Sequence, residues 1–245
     1  VIGAPFFVIF GILSDKIGRK PMIMAGCLLA ALTYMPIFQA ITHYANPALE
    51  LAQSSAPVTV VADPDTCSLQ FNPVGTSSFT TACDVAKTAL VKSGVPYDNR
   101  AIVGGVAEIH VGDTVIVSYD ATHADAAQKM VVFNQTLATA LGEAGYPASA
   151  ADDEINKIFG AMTYGPIAAM LVELFPTRIR YSSLSLPYHI GNGWFGGFMP
   201  PVAFAIIAAT GSMYDGLWYP IIIAAACFVV GIAFLPETKD RNILD

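Results

Sequence analysis

Charge is missing from five stretches of the chain, and those stretches set its first-order organisation. Val1–Leu13, Met22–Tyr44, Ile158–Val172, Ser182–Met213 and Gly216–Pro236 contain no Asp, Glu, Lys or Arg. A hydrocarbon core about 30 Å thick needs about 20 apolar residues of helix. Met22–Tyr44, Ser182–Met213 and Gly216–Pro236 meet that length. Val1–Leu13 is short, and Ile158–Phe175, at 18 residues, is marginal. The pattern predicts helices over Met22–Ile41, Ile158–Phe175, Leu184–Ala209 and Leu217–Leu235, with the end of a further one at Val1–Leu13.

Between these runs, residues 47–157 change texture. Val58–Val61 is a β-branched run closed by Asp63-Pro64-Asp65. Thr81–Ser93 reads as a short helix, with Gly94 and Pro96 as stop signals. Ala101–Val111 and Thr114–Tyr119 read as strands around Gly112-Asp113, a two-residue hairpin signal. Met130, Phe133, Leu137 and Leu141 recur at helical spacing, ended by Gly145 and Pro147. Two helix ends look alike at an offset of 51 residues, Thr88-Ala89-Leu90 with Gly94 and Thr139-Ala140-Leu141 with Gly145. Val58-Thr59-Val60 and Ile109-His110-Val111 match at the same offset. A duplicated ββα unit and chance recurrence of stop signals both account for this. The expected organisation is membrane helices over 1–46, with a connection at 14–21, a small α+β domain over 47–157, and membrane helices with a terminal tail over 158–245.

Composition agrees. Of 245 residues 54% are hydrophobic and 13% charged, against about 25% charged in a typical soluble domain. Mean hydropathy is +0.55. Disorder, coiled coil, collagen and an ordinary soluble enzyme are excluded on this ground. The net charge of -7 leaves no basic footprint for nucleic acid. Outside 47–157 every basic residue lies at 14–21, 176–181 or 237–245: Lys16, Arg19, Lys20, Arg178, Arg180, Lys239 and Arg241. The positive-inside rule places these three connections in the cytoplasm and 47–157 outside it. The first residue is not Met, and no charged leader precedes the apolar run. A chain joined partway through a helix is the expectation.

Candidate chemistry is sparse. Cys67 and Cys83 are the cysteines of 47–157, and an extracytoplasmic setting permits a disulfide between them. Two small buried thiols are the alternative. Cys27 and Cys227 lie in apolar runs and read as packing residues. His110 and His123 lack metal-ligand spacing. No nucleophile–base set, metal cluster or phosphate loop is visible, so neither an enzyme nor a cofactor is expected. Intramembrane polar groups are costly and often functional. That singles out Tyr164, Tyr188, His189, Asn192 and Trp194, with Gly193 and Gly197 as a small-residue pair for close helix packing. These residues are candidates for a translocation path or a hinge. The spans hold no midplane Asp or Glu that could carry a proton.

The connection Gly11-Ile12-Leu13-Ser14-Asp15-Lys16-Ile17-Gly18-Arg19-Lys20-Pro21 closely resembles the loop signature of the major facilitator superfamily, G-x-L-x-D-x-x-G-R-[RK]-P. Glu173 through Arg180 resembles the family's loop after helix ten, and Pro236-Glu237-Thr238-Lys239 the end of helix twelve. Tyr164-Gly165-Pro166 and Pro187 to Trp194 resemble the metabolite:proton symporter branch, which includes proline/betaine and shikimate carriers. The resemblance implies an α-helical membrane protein. It would be part of a carrier's C-terminal half, about four to five transmembrane helices numbered eight to twelve, with an inserted small α+β extracytoplasmic domain. It also implies a cytoplasmic gate drawn from Gly11, Asp15, Gly18, Arg19, Lys20, Glu173, Arg178, Arg180 and Glu237. The implied function is secondary active transport by alternating access in the plasma (bacterial inner) membrane. The implied partners are a small organic solute, protons, the lipid bilayer and the preceding helices of the same carrier. A membrane-anchored extracytoplasmic binding or sensing module is the alternative.

Overall fold

A computed structural model describes residues 3–147, 185 and 188–238. They fall into two compact units. One holds 3–35, 188–199 and 219–238, the other 36–147 and 200–218.

The first unit is helical. α1 (Gly3–Ile17) and α2 (Arg19–Ala45) are separated by one residue, Gly18, whose φ of 118° lies in the region that favours glycine. The last helix, labelled α7 here (Trp218–Phe234), packs on the first half of α2. Ile23, Met24 and Cys27 are buried there, with Phe228 and Leu235 against them. At Gly231 an added Cβ would sit 2.4 Å from the Met24 Cε, so the two helices meet too closely for a side chain at that point. Among the described residues three stretches are long and apolar enough to cross a membrane: Arg19–Tyr44, Ile190–Thr210 and Asp215–Phe234. Their outward faces carry exposed Leu32, Trp194, Phe195, Ile222 and Val229. A hydrocarbon surrounding makes such faces stable, since lipid tails are as apolar as these side chains. These helices fit an α-helical membrane protein.

The stretch 190–196 is π-helical, and α6 (Gly197–Thr210) follows it. Pro200 and Pro201 are the fourth and fifth residues of α6 and have no N–H to donate. The carbonyls upstream lose those donors, and the Gly197 N–H bonds back to Asn192 and Trp194 carbonyls. A wider turn absorbs the mismatch, as such bulges do. Cys227, expected to be a packing residue, lies on the exposed face of α7, while Cys27 is buried.

The second unit is built on a four-stranded sheet in the order β2-β1-β3-β4. β1 (Val58–Ala62) is the β-branched run. It pairs in parallel with β2 (Asp98–Ala101) and antiparallel with β3 (Glu108–Val111), which pairs antiparallel with β4 (Thr114–Val117). Gly112, at φ 55°, makes the two-residue hairpin turn. α3 (Pro47–Ser55) precedes the sheet, capped by Asn46, whose side chain accepts from the Leu49 N–H. α4 (Ala82–Lys92) is capped by Thr81, whose hydroxyl accepts from the Asp84 N–H at 3.1 Å. α5 (Ala126–Glu143) buries Phe133, Leu137, Ala140 and Leu141. Leu90, Ile109 and Val60 are the largest fully buried apolar side chains of this core. Each is worth roughly 1.5–3 kcal/mol relative to exposure.

Three expectations are corrected here. Ala101–Val111 is not one strand. Gly104 and Gly105 both take positive φ, so the chain turns between β2 and β3. Met130 does not join the buried stripe of α5 and stays exposed. The two halves are not a duplicated ββα unit: β1-α4-β2 is a parallel crossover, whereas β3-β4-α5 is a hairpin followed by a helix. The likeness is confined to the helix ends. The Val95 N–H reaches the Leu90 carbonyl and the Tyr146 N–H reaches the Leu141 carbonyl, each beside a left-handed glycine.

Candidate functional site

The charged turn between α1 and α2 is a built site. α2 opens with Arg19, Lys20 and Pro21, so its first two N–H groups lack intrahelical partners and its third residue has none to offer. The Glu237 carboxylate fills that position. One oxygen accepts from the Arg19 N–H at 2.8 Å and the other from the Lys20 N–H at 3.1 Å. A carboxylate at a helix N-terminus also meets the favourable end of the macrodipole.

Gly18 makes this approach possible. A Cβ there would stand 2.5 Å from the Glu237 Oε2 and 3.0 Å from its carboxyl carbon. The Gly18 N–H closes α1 by donating to the Ser14 carbonyl at 3.0 Å. Asp15 pairs one turn ahead with the Arg19 guanidinium, which also donates to the buried Ser14 hydroxyl at 3.1 Å. The Lys20 ammonium donates to the Ile232 carbonyl at 3.0 Å, in the last turn of α7. A cation at a helix C-terminus complements the opposite dipole end. The start of α2 and the end of α7 therefore cap each other. The two carboxylates of this contact, Asp15 and Glu237, are exposed, and exposed pairs are worth only ~0–1 kcal/mol apiece. Such a clasp can open and close.

Of the gate residues expected from the sequence, Asp15, Gly18, Arg19, Lys20 and Glu237 come together here, and Gly11 lies within α1. Glu173, Arg178, Arg180 and Tyr164 lie outside the described residues. Glu237 caps α2, and Asp15 is the ion-pair partner of Arg19. Ser14 and Thr238 were missed; both are fully buried. Their only signal was position, next to Asp15 and Glu237.

Tyr188, His189, Asn192, Gly193 and Trp194 lie on or beside the π-helical stretch, all on exposed positions. The Tyr188 and His189 rings meet edge to face at 6.0 Å. A Cβ on Gly193 would meet nothing within 4 Å, so among the described residues no helix packs on the small-residue pair.

The second unit holds a cavity of about 900 Å³ between β4 and α5, lined by Val106, Val117, Tyr119, Lys129, Val132 and Phe133 among others. Lys129 pairs with Asp125 at 2.9 Å at its rim, and this bond holds the Asp125 carboxyl below the usual range. Cys67 and Cys83 are bonded, with Cα atoms 5.2 Å apart. Asp84, buried beside that bond, accepts from the Ser68 N–H at 2.8 Å. Burial lowers the Lys87 ammonium, with Asp84 opposing the shift. The Gly104 N–H at 2.8 Å, and after it the Asp65 N–H, hold the Asp63 carboxyl below its ordinary value.

Comparison with curated proteins finds transporters. A Haemophilus influenzae protein named for metabolite transport is 41% identical over 81 residues, 33% of this chain and 17% of that protein. A glycine betaine/proline/ectoine/pipecolic acid transporter of Dickeya dadantii is 33% identical over 86 residues, 35% of this chain and 17% of its own length. A citrate-proton symporter of Klebsiella pneumoniae is 32% identical over 82 residues, 33% and 18%. The matched stretch thus spans less than a fifth of each relative. No family model and no solved structure matches the chain. The chain is related to metabolite and proton-symport carriers, the class its charged turn resembles.

Proposed function

We propose, for a chain with these carrier relatives, that it is part of a secondary active transporter of the major facilitator superfamily. The transporter moves a small organic metabolite or osmolyte together with protons across the plasma (bacterial inner) membrane by alternating access. The observation that carries this reading is the Glu237 carboxylate seated on the start of α2. An anchor for a soluble domain has no need for a weak, reciprocal clasp between helix ends. A carrier that rocks needs a contact that two arrangements can make and break. Asp15, Arg19, Lys20 and Glu237 hold the clasp, and the family resemblance adds Glu173, Arg178 and Arg180 to the same gate.

In this reading the turn at 14–21 and the C-terminus face the cytoplasm, and 47–157 forms an extracytoplasmic domain between helices nine and ten. The Cys67–Cys83 bond suits that compartment. The π-helical stretch at 190–196, followed by Pro200 and Pro201, is a bending point. The test is uptake by the Asp15→Asn and Glu237→Gln variants of the full-length protein at equal surface expression. Both lose uptake while inserting normally. Wild-type uptake by both removes the gate from the account.

The cavity between β4 and α5 favours a second reading, a membrane-anchored binding or sensing module. Val117→Arg, at an exposed cavity position, separates the two: uptake survives it if the domain is accessory, whereas a solute response carried by the cavity does not.

A further inference from the structure

The last carbonyls of a helix have no partner within it. At the end of α6 the partners come from the sheet. The Tyr97 hydroxyl donates to the Ala208 carbonyl at 2.8 Å, and the Asn99 amide donates to both the Ala209 and Thr210 carbonyls at 3.2 Å. The Gly211 N–H donates to the Ile207 carbonyl at 2.7 Å, completing the last four. In return the Gly211 carbonyl accepts from the Tyr97 N–H at 3.0 Å. Tyr97 is 5% exposed, and burial pushes its phenol well above the usual value, so it stays a hydroxyl donor. Met213, just past the helix, packs against the sheet core. The fit leaves no slack: a Cβ on Gly211 would lie 1.9 Å from the Tyr97 carbonyl oxygen, and Gly211 has φ 84°.

A soluble domain hung on a membrane helix by its chain ends alone needs none of these contacts. We propose that Tyr97 and Asn99 are positioning residues that cap the membrane helix α6, so that the sheet domain is seated on the α6–α7 turn and moves as one body with it. Asn99 lies on β2, an edge strand whose four side chains are all exposed, and Tyr97 immediately precedes it. This gives β2 a role that its burial does not explain. The compact unit containing the sheet extends into α6 as far as Pro200, four residues past the end of the π-helical stretch. The seated body thus ends where the helix is most easily bent. Removing the domain would strip three backbone carbonyls of their donors at the membrane surface, so it cannot be excised as a neutral appendage.

The clamp itself requires only the seating. Its effect on turnover rests on the transport reading above. The test uses the full-length protein in lipid nanodiscs. Amide hydrogen exchange is measured over 205–213 in wild type, in Tyr97→Phe/Asn99→Ala, in Gly211→Ala, and in Asn99→Gln, which keeps the amide donor. The double variant and Gly211→Ala raise exchange there by about tenfold, the scale of one or two lost hydrogen bonds. Asn99→Gln on its own retains most of the protection. Exchange over the α4 and α5 cores stays at the wild-type level, which shows the domain still folded. Unchanged exchange over 205–213 in both disrupted proteins overturns the clamp, whatever uptake shows. If exchange rises as expected, the uptake readout follows. A several-fold fall in maximal rate at unchanged half-saturation marks positioning of α6 during the cycle. Unchanged maximal rate confines Tyr97 and Asn99 to holding the domain, and overturns the claim that it moves with α6. A wild-type protein that carries no solute defeats the transport reading but leaves the exchange result to decide the seating.

Discussion

Gly18→Ala is the sharpest perturbation of the clasp between α2 and α7. Two costs add. The first is conformational: a non-glycine residue at φ 118° sits in a sparsely populated region, at a cost of roughly 1–3 kcal/mol. The second is steric. The new Cβ lies 2.5 Å from the Glu237 Oε2, so the carboxylate must leave at least one of the N–H groups of Arg19 and Lys20. Loss of an N-terminal cap costs about 0.5–2 kcal/mol, and the low end applies because Glu237 is exposed. Together the penalty is roughly 2–3 kcal/mol, or about 30- to 150-fold in the equilibrium between closed and parted helices. Cys27 reports on this. It is buried between α2 and α7, against Phe228 and Leu235. In a Cys227→Ser background, the rate at which a membrane-permeant maleimide labels Cys27 should rise by at least an order of magnitude in Gly18→Ala. Gly94→Ala is the control: its φ is 66°, nothing stands within 4 Å of its Cβ position, and it lies in the other unit. It should leave labelling unchanged. Equal labelling of wild type and Gly18→Ala, both inserted and folded, would refute the reasoning.

Other consequences follow from the sheet domain. Cys67 and Cys83 are 16 residues apart, so reducing the bond or replacing both residues with Ser should cost roughly 3 kcal/mol. Calorimetry with and without reductant should show a melting temperature lower by on the order of 10 °C for a domain of this size. Leu90→Ala and Ile109→Ala empty fully buried positions and should each cost about 2–5 kcal/mol in denaturant unfolding, with Val103→Ala, on a fully exposed side chain, near zero. The Asp63 carboxyl is held below its ordinary value of 3.8 by the Gly104 and Asp65 amides. Its folded pKa is depressed, so the stabilisation is present above that value and lost as pH falls through the folded pKa. Hydrogen exchange at the Gly104 amide, corrected for intrinsic rates, should therefore be flat from pH 7 to 5 and accelerate below about 4.

Much of this architecture was legible because bilayers impose a blunt rule. The uncharged runs locate α2 and α7 to within a few residues and the end of α6 to within one, and the Thr81 cap and the Gly112-Asp113 turn are local chemistry that a sequence carries openly. Other parts were not. β2 reads Asp-Asn-Arg-Ala, with no apolar alternation, because all four of its side chains are exposed at the sheet edge. The π-helical stretch depends on two prolines displacing a hydrogen-bond ladder, which residue periodicity does not register. At the gate, the motif brought Asp15, Arg19 and Glu237 into view together. Which carboxylate caps α2 depended on the path of the chain after α7. The contacts of Tyr97 and Asn99 with α6 span more than 100 residues and left no local trace.

Uptake measures the central claim most directly. Cells expressing the full-length protein would be given radiolabelled zwitterionic and carboxylate solutes, with and without an imposed proton gradient, beside the Asp15→Asn/Glu237→Gln double variant. Accumulation above the external concentration, abolished by collapsing the gradient and by the double variant, is the predicted result. Gradient-independent solute retention, equal in wild type and double variant and lost on Val117→Arg, would contradict it and make the sheet domain a binding module on a membrane anchor.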